Sequence, residues 1–293
     1  MDQAQQLRNI IKLSSQRMDQ SARVITVTSG KGGVGKSNSS VNLAVQLRRL
    51  GKRVIIFDAD FGLANVEVMF GSIPKYNLED LIFKGKNIKE IITLGPEDVG
   101  FVSGGSGISK LANLNRRQID MLVHNLAELD GLADYIIIDT GAGISDAVLE
   151  FILVSREVFL VITPEPTSMT DAYALLKVLN NNPRFHPDET KIKVLSNRAS
   201  SYQEGITSYS KLNAVVKKFL NLNISLLGVV PQDENVQKAI IKQKPVSLLH
   251  PNSKASKAYE ELARLMVNDI MEPKSKKGIA GMFNELLKSR LSR

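Results

Sequence analysis

The feature that most constrains the fold is a glycine-rich run placed between an apolar strand and a segment with helical spacing. Residues 24–28 read Val-Ile-Thr-Val-Thr, and the run follows almost at once. Its members are Gly30, Lys31, Gly32, Gly33, Val34, Gly35, Lys36 and Ser37. Glycines at this spacing let consecutive backbone N–H groups point at phosphate oxygens, and the following helix directs its positive end to the same place. The run predicts a phosphate-binding loop, against the alternative of a glycine-rich turn.

Two side chains at the end of the run carry the expected chemistry. The ammonium of Lys36 would neutralise the β and γ phosphates of a nucleotide, and the hydroxyl of Ser37 would bind Mg²⁺. Both roles depend on the loop opening a helix, as the spacing of Val41, Leu47 and Leu50 indicates. Gly51 supplies the expected end of that helix.

Short, almost wholly apolar runs along the chain predict buried parallel strands. They are residues 24–28, 54–57, 135–138, 158–162 and 226–230, with weaker candidates at 191–195 and 100–103. Segments with helical spacing separate them, so the fold class is α/β, a doubly wound and mostly parallel sheet with helices on both faces. Ligands bind such sheets at the carboxyl ends of the strands.

Three acids lie at predicted strand ends. Asp58 and Asp60 follow the strand at 54–57, and Asp139 ends the strand at 135–138. A single acid at such a place is more often a helix cap or an ion-pair partner. Three acids at one edge of a sheet favour a site that holds magnesium and aligns an attacking water.

Composition excludes several other kinds of site. The chain has 293 residues, enough for one α/β domain with short appendages, and it contains no Cys, which excludes disulfides, thiolate metal sites and a Cys nucleophile. Because Trp is also absent and aromatic residues make up 5%, stacking platforms for single-stranded nucleic acid are poorly supplied, and nucleic acid is an unlikely partner. No apolar run suggests a secretory signal, so we expect a cytoplasmic protein.

The carboxyl-terminal end is basic and amphipathic. Residues 271–293 hold six bases and two acids, half of the chain's net charge of +8. One helical stripe contains Ile279, Met282, Phe283, Leu286, Leu287 and Leu291. Such a helix binds anionic membrane lipids, with its apolar face among acyl chains. The alternative is a helix packed on its own domain. Because a Gly- and Lys-containing linker precedes it, we expect the helix to fold on lipid rather than to dock permanently.

The run from Gly30 to Ser37 resembles the deviant Walker A motif of the MinD/ParA class of P-loop ATPases. The resemblance implies ATP and Mg²⁺ as ligands and an ATP-bound homodimer in which Lys31 reaches the partner's phosphates, rather than a solvated loop lysine. It implies that Asp60 orients the attacking water, that Asp58 supports the magnesium shell, and that Asp139 is the Walker B acid.

The family places residues around adenine at positions that match Asn197, Arg198, Pro231 and Asp233. Ordinary turn chemistry is an equal alternative for Arg198 and Asp233. The family commonly has a proline two residues after the acid, whereas this chain reads Thr140-Gly141-Ala142-Gly143.

The first residues of the chain resemble the D-Q-A-x-x-L-R motif that begins FlhG proteins, also called YlxH or FleN. Asp2, Gln3, Leu7 and Arg8 match it. Members of that family regulate the number and placement of flagella, stimulate the FlhF GTPase through this motif and contact the flagellar switch proteins FliM and FliN or FliY. On this resemblance Gln3 would insert beside the partner's GTP, and Leu7 and Arg8 would dock the helix. A simple helical cap is the alternative.

These observations predict three parts: an activator arm at 1–23, a MinD-like ATPase domain at 24–272, and a linker with a membrane-targeting helix at 273–293. When ATP is bound, the protein would be peripheral on the inner face of the cell membrane. The alternatives are a MinD-type regulator of the cell-division site, a ParA-type DNA-segregation ATPase, and a metabolic enzyme of the same fold. The last would need a pocket acid or base that the sequence does not identify.

Overall fold

A computed structural model describes residues 21–60, 65–105, 116–269 and 278–291. Within them, eight strands form one sheet in the order β3-β4-β2-β5-β1-β6-β7-β8. Every neighbouring pair is parallel except β3 and β4. The predicted doubly wound, mostly parallel sheet is confirmed. The short edge strand β3 was not predicted, since two residues are too few to show an apolar pattern.

The bounds of the elements follow. The strands are β1 Arg23–Ser29, β2 Val54–Ala59, β3 Thr93–Leu94, β4 Gly100–Ser103, β5 Tyr135–Ala142, β6 Glu157–Ile162, β7 Lys191–Ala199 and β8 Ile224–Pro231. The helices are α1 Lys36–Arg49, α2 Asn65–Phe70, α3 Leu78–Phe83, α4 Ile88–Ile91, α5 Arg116–Leu132, α6 Asp146–Leu153, α7 Pro166–Asn180, α8 Tyr202–Leu220, α9 Glu234–Ile241, α10 Val246–Leu249, α11 Lys254–Asn268 and α12 Ile279–Leu291. None of the described helices is long and apolar enough to cross a membrane.

The sheet separates two layers of helices, because successive side chains of a strand point to opposite faces. Val24 packs with α3, α4, α5 and α12, whereas its neighbour Ile25 packs with α1 and α11 on the other face. The central strands are buried over nearly their whole length, which is why their sequences are apolar runs rather than alternating patterns. Helix α1 ends at Arg49 with Leu50 as its C-cap, and Gly51, the predicted stop, has the left-handed φ of 76°.

The carboxyl-terminal helix α12 does not stand apart from the domain. Ile279, Met282, Phe283, Leu286 and Leu287 are buried in the same core as α5. The expectation that this helix stays off the domain until it meets lipid is therefore wrong for this structure. The physical reason is that α5 and the sheet offer an apolar groove, which a linker composition does not reveal. The side chain of Leu291 lies outside the described residues.

A tertiary cap holds the beginning of α12. The carboxylate of Asp130, on α5, accepts hydrogen bonds from the backbone N–H groups of Ile279 at 2.8 Å and Ala280 at 3.4 Å. A Cβ at Gly278 would lie 2.1 Å from Oδ2 of Asp130, so only glycine lets the chain approach so closely. Burial raises the pKa of Asp130, and the two backbone N–H groups partly offset that effect. The cap and the apolar groove together fix the docked position.

The ring of Phe283 joins the docked helix to the elements that carry the predicted acids. Its centroid lies 5.4 Å from that of Phe57 on β2 and 5.8 Å from that of Phe151 on α6. Both contacts are edge-on, the geometry that aromatic pairs prefer. Phe57 directly precedes Asp58, and α6 follows the loop after Asp139. The carboxyl-terminal helix is thus packed directly against the two acid-bearing strand–helix units.

Candidate nucleotide site

A cleft of about 720 Å³ lies at the carboxyl ends of the strands, where the parallel sheet predicts a ligand site. It is lined by the glycine-rich loop and by residues from the ends of β7 and β8. Gly32, Gly33, Gly35, Lys36 and Ser37 face it. Asp60, Asn197, Arg198, Pro231 and Asp233 also line it. The structure therefore brings most of the sequence-predicted site residues into one cleft.

The loop has the backbone that a phosphate cradle needs. Gly35, the residue before α1, has φ 98°, and a Cβ there would lie 2.3 Å from Nδ2 of Asn197. Only glycine meets both conditions. No side chain caps α1, and its first turn holds no acid, so the N–H groups and positive dipole end of the helix remain available to an anion. Asn197 also donates to the carbonyl of Val34 at 2.8 Å, which ties the loop to β7.

Lys36 is buried, although its ammonium lines the cleft. Burial lowers the pKa of this lysine, and the nearby carboxylates of Asp139 and Asp60 partly offset that effect. The ammonium thus lies between the loop and the acids, where triphosphate oxygens would pair with it. Phosphate binding by Lys36 stays a prediction.

Asp58 and Asp139 are exact neighbours across the sheet, since they are register partners in the β2–β5 pairing. Burial and the charge of Asp139 raise the pKa of Asp58 to about 8. Burial also raises the pKa of Asp139 to about 6, while hydrogen bonds from Ser37 and Ser40 and the charge of Lys36 partly offset it. Oδ2 of Asp139 is buried without a hydrogen-bond partner among the described residues. Asp58 and Asp139 are thus buried side by side, and the positive charge near them is too small to keep their pKa values in the usual range.

Asp60 is half-buried at the edge of the cleft and is held by a residue that the sequence reasoning did not assign. Nδ2 of Asn65, the first residue of α2, donates to Oδ2 of Asp60 at 2.9 Å. Burial raises the pKa of Asp60, and Lys36 and Asn65 counter the shift. A Cβ on Gly141 would lie 3.1 Å from Oδ1 of Asp60, so the Thr140–Gly143 run brings β5 close to this acid.

These residues fit a magnesium ion that is bound mainly through phosphate and water. An unpaired buried carboxylate oxygen on Asp139, beside the hydroxyl of Ser37, is a hard-oxygen donor set of the kind that Mg²⁺ uses. Asp58 lies beside Asp139, and its two carboxylate oxygens accept hydrogen bonds from the backbone N–H groups of Asp60 at 3.2 Å and Val66 at 3.3 Å. Its support of the magnesium shell stays a prediction. Among the described residues no three His, Asp or Glu side chains form a group that could hold a metal by themselves.

The raised pKa of Asp58 predicts a pH-dependent stability in the nucleotide-free protein. A folded pKa of about 8, above the usual value of 3.8 for an aspartate, means that the folded state binds the proton more tightly. The stabilisation is complete below the unfolded pKa and is lost as pH rises through about 8. We expect Asp58→Asn to melt above the wild type at pH 9 by roughly 5 °C or more, and by much less at pH 5. Thermal unfolding of both proteins at the two pH values measures this.

Asp188→Asn is the matched control, because this acid is exposed and far from the site. A constant difference in melting temperature between wild type and Asp58→Asn at the two pH values would contradict the assigned cause.

Lys31 does not point into the cleft. Its Nζ lies 3.0 Å from Oε2 of Glu165 and 2.7 Å from Oγ1 of Thr167 at the beginning of α7. The lysine is about one-third exposed, so this ion pair is weak and reversible. A role for Lys31 across a dimer stays a prediction. Glu165 and Thr167 were not identified from the sequence, although their place after strand β6 is the available signal.

The residues predicted to surround adenine have distinct local contacts. Asn197 supports the loop, and Arg198 is exposed with φ 58°, which turns its backbone at the cleft. The carboxylate of Asp233 accepts from the N–H groups of Asn235 at 2.9 Å and Ala255 at 3.0 Å, so it caps α9 and tethers α11. Its side chain therefore already has a structural role. Base recognition by these residues stays a prediction.

Comparisons with known proteins agree with this geometry. A family model described as "ParA: NUBPL iron-transfer P-loop NTPase" matches residues 20–267. The antiactivator FleN of Pseudomonas aeruginosa is 43% identical over 242 residues, which cover 83% of this chain and 85% of that protein. The flagellum site-determining protein YlxH of Helicobacter pylori is 31% identical over 98% of both chains. Because this chain has no Cys, it has no thiolate with which to hold iron.

A solved structure shows the same fold. The septum site-determining protein MinD of Pyrococcus horikoshii, in complex with Mg-ADP, superposes with a TM-score of 0.65 at 23% identity. The match covers 87% of this chain and 99% of that one.

Proposed function

This chain belongs to the ParA/MinD-type family of P-loop ATPases, and from that premise we propose that it is an ATP-dependent, dimerising membrane switch that controls the number and location of flagella. The observation that carries the proposal is the contact of Phe283 with Phe57 and Phe151. It makes the site that binds nucleotide and the helix that would bind lipid packing neighbours. A structural change at the nucleotide site would therefore displace the residues against which α12 packs.

Hydrolysis needs positioning and charge neutralisation rather than covalent chemistry. Lys36 and the loop N–H groups hold the triphosphate, and Asp60, oriented by Asn65, aligns the attacking water and takes up its hydrogen bond. Ser37 and Asp139 would hold magnesium, which would supply positive charge to the phosphate oxygens. Because Asp60 carries a raised pKa, it is suited to accept a proton transiently as the water attacks.

In the proposed ATP-bound dimer, the side chain of Lys31 takes a second position. In the single chain its ammonium pairs with Glu165 and Thr167. A partner's γ-phosphate, with more negative charge than one glutamate, would draw Lys31 away and complete the partner's site. Since the ion pair with Glu165 is partly exposed, little free energy opposes the exchange. Hydrolysis would therefore be slow in the monomer and faster in the dimer.

Docking and membrane binding use the same side chains of α12 and exclude one another. Burial of its five apolar residues contributes roughly 1.5 kcal/mol each, whether the surface is the domain or the acyl chains of a lipid layer. The two states are thus close in free energy, and a small movement of β2 or α6 on nucleotide binding is enough to shift their balance. Two released helices on one dimer would also bind a membrane far more strongly than one, by about a hundredfold.

Liposome flotation tests the switch. With vesicles containing anionic lipid, we expect the protein to float at least about tenfold more with a non-hydrolysable ATP analogue and Mg²⁺ than with ADP. The double variant Phe283→Ser/Leu287→Ser should lose flotation, because both side chains are required on lipid. Equal flotation with the two nucleotides would refute the switch.

A variant of the tertiary cap separates docking from lipid affinity. Asp130→Ala removes the hydrogen bonds to the beginning of α12 but leaves its apolar face intact. A lost cap costs about 1 kcal/mol, so flotation with ADP should rise about fivefold while flotation with the ATP analogue changes little. Asp134→Ala is the control, because it removes a half-buried acid of the α5–β5 connection that pairs with Arg53 rather than with α12.

The flagellar part of the proposal rests on the likeness to YlxH and FleN and on the resemblance of the first residues to the FlhG arm. Asp2, Gln3, Leu7 and Arg8 lie outside the described residues. We propose that this arm stimulates the FlhF GTPase. We further propose that the exposed face of α8, which includes Val215 and Phe219, contacts the flagellar switch proteins FliM and FliN or FliY.

Gln3 is the sharpest test of the arm. We expect Gln3→Ala to reduce stimulation of FlhF GTP hydrolysis by roughly tenfold or more, because a side chain that touches the reacting phosphate contributes to the transition state. ATP hydrolysis by the variant should be unchanged, and Gln5→Ala serves as the neighbouring control. Full stimulation by Gln3→Ala would show that the arm does not work through this residue.

A further inference from the structure

An apolar surface is exposed beside the nucleotide cleft and is not used by the ATPase mechanism. It consists of Val68, Ile73, Ile240 and Ile241, which are 53%, 92%, 40% and 82% exposed. We call these four residues the rim patch. Single exposed apolar residues are ordinary, but a group at one place marks an interaction site. Two isoleucines exposed above four-fifths are costly in water unless something covers them.

The two halves of the rim patch belong to adjacent elements. A Cβ on Gly71, just after α2, would lie 3.3 Å from the carbonyl oxygen of Gln243, just after α9. Met69 of α2 and Ile240 of α9 line the same cleft. The patch is therefore one surface, formed by α2 with the turn after it and by the end of α9.

Lysines surround the rim patch. Lys238, Lys242 and Lys244 are exposed on α9 and the turn after it, and Lys75 follows Ile73. None of the four forms an ion pair among the described residues, although the ammonium of Lys75 lies over the ring of Tyr76, 5.2 Å from its centroid. The acids on the same elements are Glu67 and Glu234, so positive charge predominates. An apolar strip edged by ammonium groups that form no ion pair fits a ligand with an apolar stripe and acidic flanks.

From these observations we propose that the rim patch binds an amphipathic, acidic segment of a partner protein. Helix-in-groove recognition of this kind uses apolar anchors every three or four residues, with flanking charges setting the partner. The chain's own α12 is not the occupant, because it is already docked elsewhere and its segment is basic. A second copy is disfavoured, since a two-fold contact would bring the lysines of both copies together.

Both halves of the rim patch are attached to residues of the nucleotide site. Asn65, which begins α2, holds Asp60, and Asp233 in the cleft caps α9. A change in these contacts on ATP binding shifts α2 and α9 relative to one another. The nucleotide dependence of the surface rests on the proposed function, whereas its apolar and basic chemistry does not.

Fluorescence anisotropy with the full chain and designed peptides tests the proposal. The probe is a helical peptide of roughly 18 residues. It carries leucines spaced three and four apart and glutamates on both flanks, and in its twin every glutamate is replaced by lysine. We expect the acidic peptide to bind about tenfold or more tightly than its twin, and more tightly with an ATP analogue than with ADP.

Variants locate the binding. Ile73→Asn/Ile241→Asn changes two highly exposed side chains and should weaken acidic-peptide binding by about tenfold. Lys242→Glu/Lys244→Glu should reverse the preference between the two peptides. Leu94→Asn/Leu265→Asn, also exposed but away from the cleft, should bind like the wild type. Thermal unfolding confirms that each variant is folded.

Each possible result of these binding experiments either supports or overturns the proposal. Equal binding of the two peptides, or equal binding by Ile73→Asn/Ile241→Asn and wild type, overturns the proposal. If sedimentation shows that this variant stays monomeric with the ATP analogue while the wild type dimerises, the patch is a subunit interface and the partner proposal is wrong. Normal dimerisation and ATP hydrolysis by a variant that has lost the peptide support it. Peptide binding that does not depend on nucleotide, in a protein that also fails flotation, would refute the proposed switch while leaving the surface assignment intact.

Discussion

Asp60→Ala is expected to bind ATP and to hydrolyse it at least about a hundredfold more slowly than the wild type, because the carboxylate that aligns the attacking water is gone. Among the described residues Asp60 forms no hydrogen bond with the glycine-rich loop, although its charge acts on Lys36, and it is held at the edge of the cleft by Asn65. Removal of the acid also removes negative charge near the γ-phosphate, so ATP affinity should be equal or higher. Single-turnover phosphate release and a nucleotide-binding titration measure the two quantities separately.

The membrane state follows from the same change. A protein that keeps its ATP keeps the dimer, and we expect Asp60→Ala to float with liposomes in ATP as the wild type does only with a non-hydrolysable analogue. Asn65→Ala is the graded companion, since it leaves the carboxylate but frees its orientation, and an intermediate rate is expected. Normal hydrolysis by Asp60→Ala would show that another group aligns the water.

Lys36→Ala is expected to lose ATP binding by about a hundredfold or more, and with it hydrolysis, dimerisation and flotation. The buried ammonium lies beside Asp139 and Asp60. Without it those carboxylates would face the triphosphate with nothing to screen them, and charge-assisted hydrogen bonds to phosphate would be lost. Titration with a fluorescent ATP analogue measures the affinity.

Lys31→Ala is the matched control for that experiment. Both residues are lysines of the same loop, but Lys31 does not line the cleft and pairs with Glu165 at its edge. We expect Lys31→Ala to bind ATP nearly as the wild type does and to lose hydrolysis, because its ammonium acts only across the dimer. Equal loss of ATP binding in the two variants would contradict the assignment of separate roles.

The acid cluster explains why much of the site was readable from the sequence. Asp58 and Asp139 each end an apolar run, and parallel strands put such ends at one edge. That placement needs only the strand assignment, which seven apolar runs supplied. Their registration as direct neighbours, and the pKa of about 8 that results for Asp58, depend on strand order. Strand order is a long-range property that local apolar patterns do not contain.

Contacts between distant segments could not be predicted from the sequence, for the same reason. Asn65 looks like any helix-starting residue until the fold places it 2.9 Å from Asp60. Glu165 looks like any acid before a helix until it meets Lys31, 134 positions away. Asp130 gives no sign in the sequence that it caps a helix that begins 149 residues later. Such partners are set by packing, and many sequences satisfy the same local pattern without them.

The carboxyl-terminal helix shows which properties followed from the sequence and which from the tertiary structure. The spacing of its apolar residues by itself determined a helix with one apolar face, since side chains three and four residues apart lie on the same side of a helix. In the same way, the glycine run by itself determined the phosphate loop. Only the tertiary structure decided which surface that face covers, because burial against a protein groove and burial among lipid chains stabilise the same side chains by similar amounts. The choice depends on the groove that α5 and β2 form, and that groove exists only after residues far apart in the chain have packed.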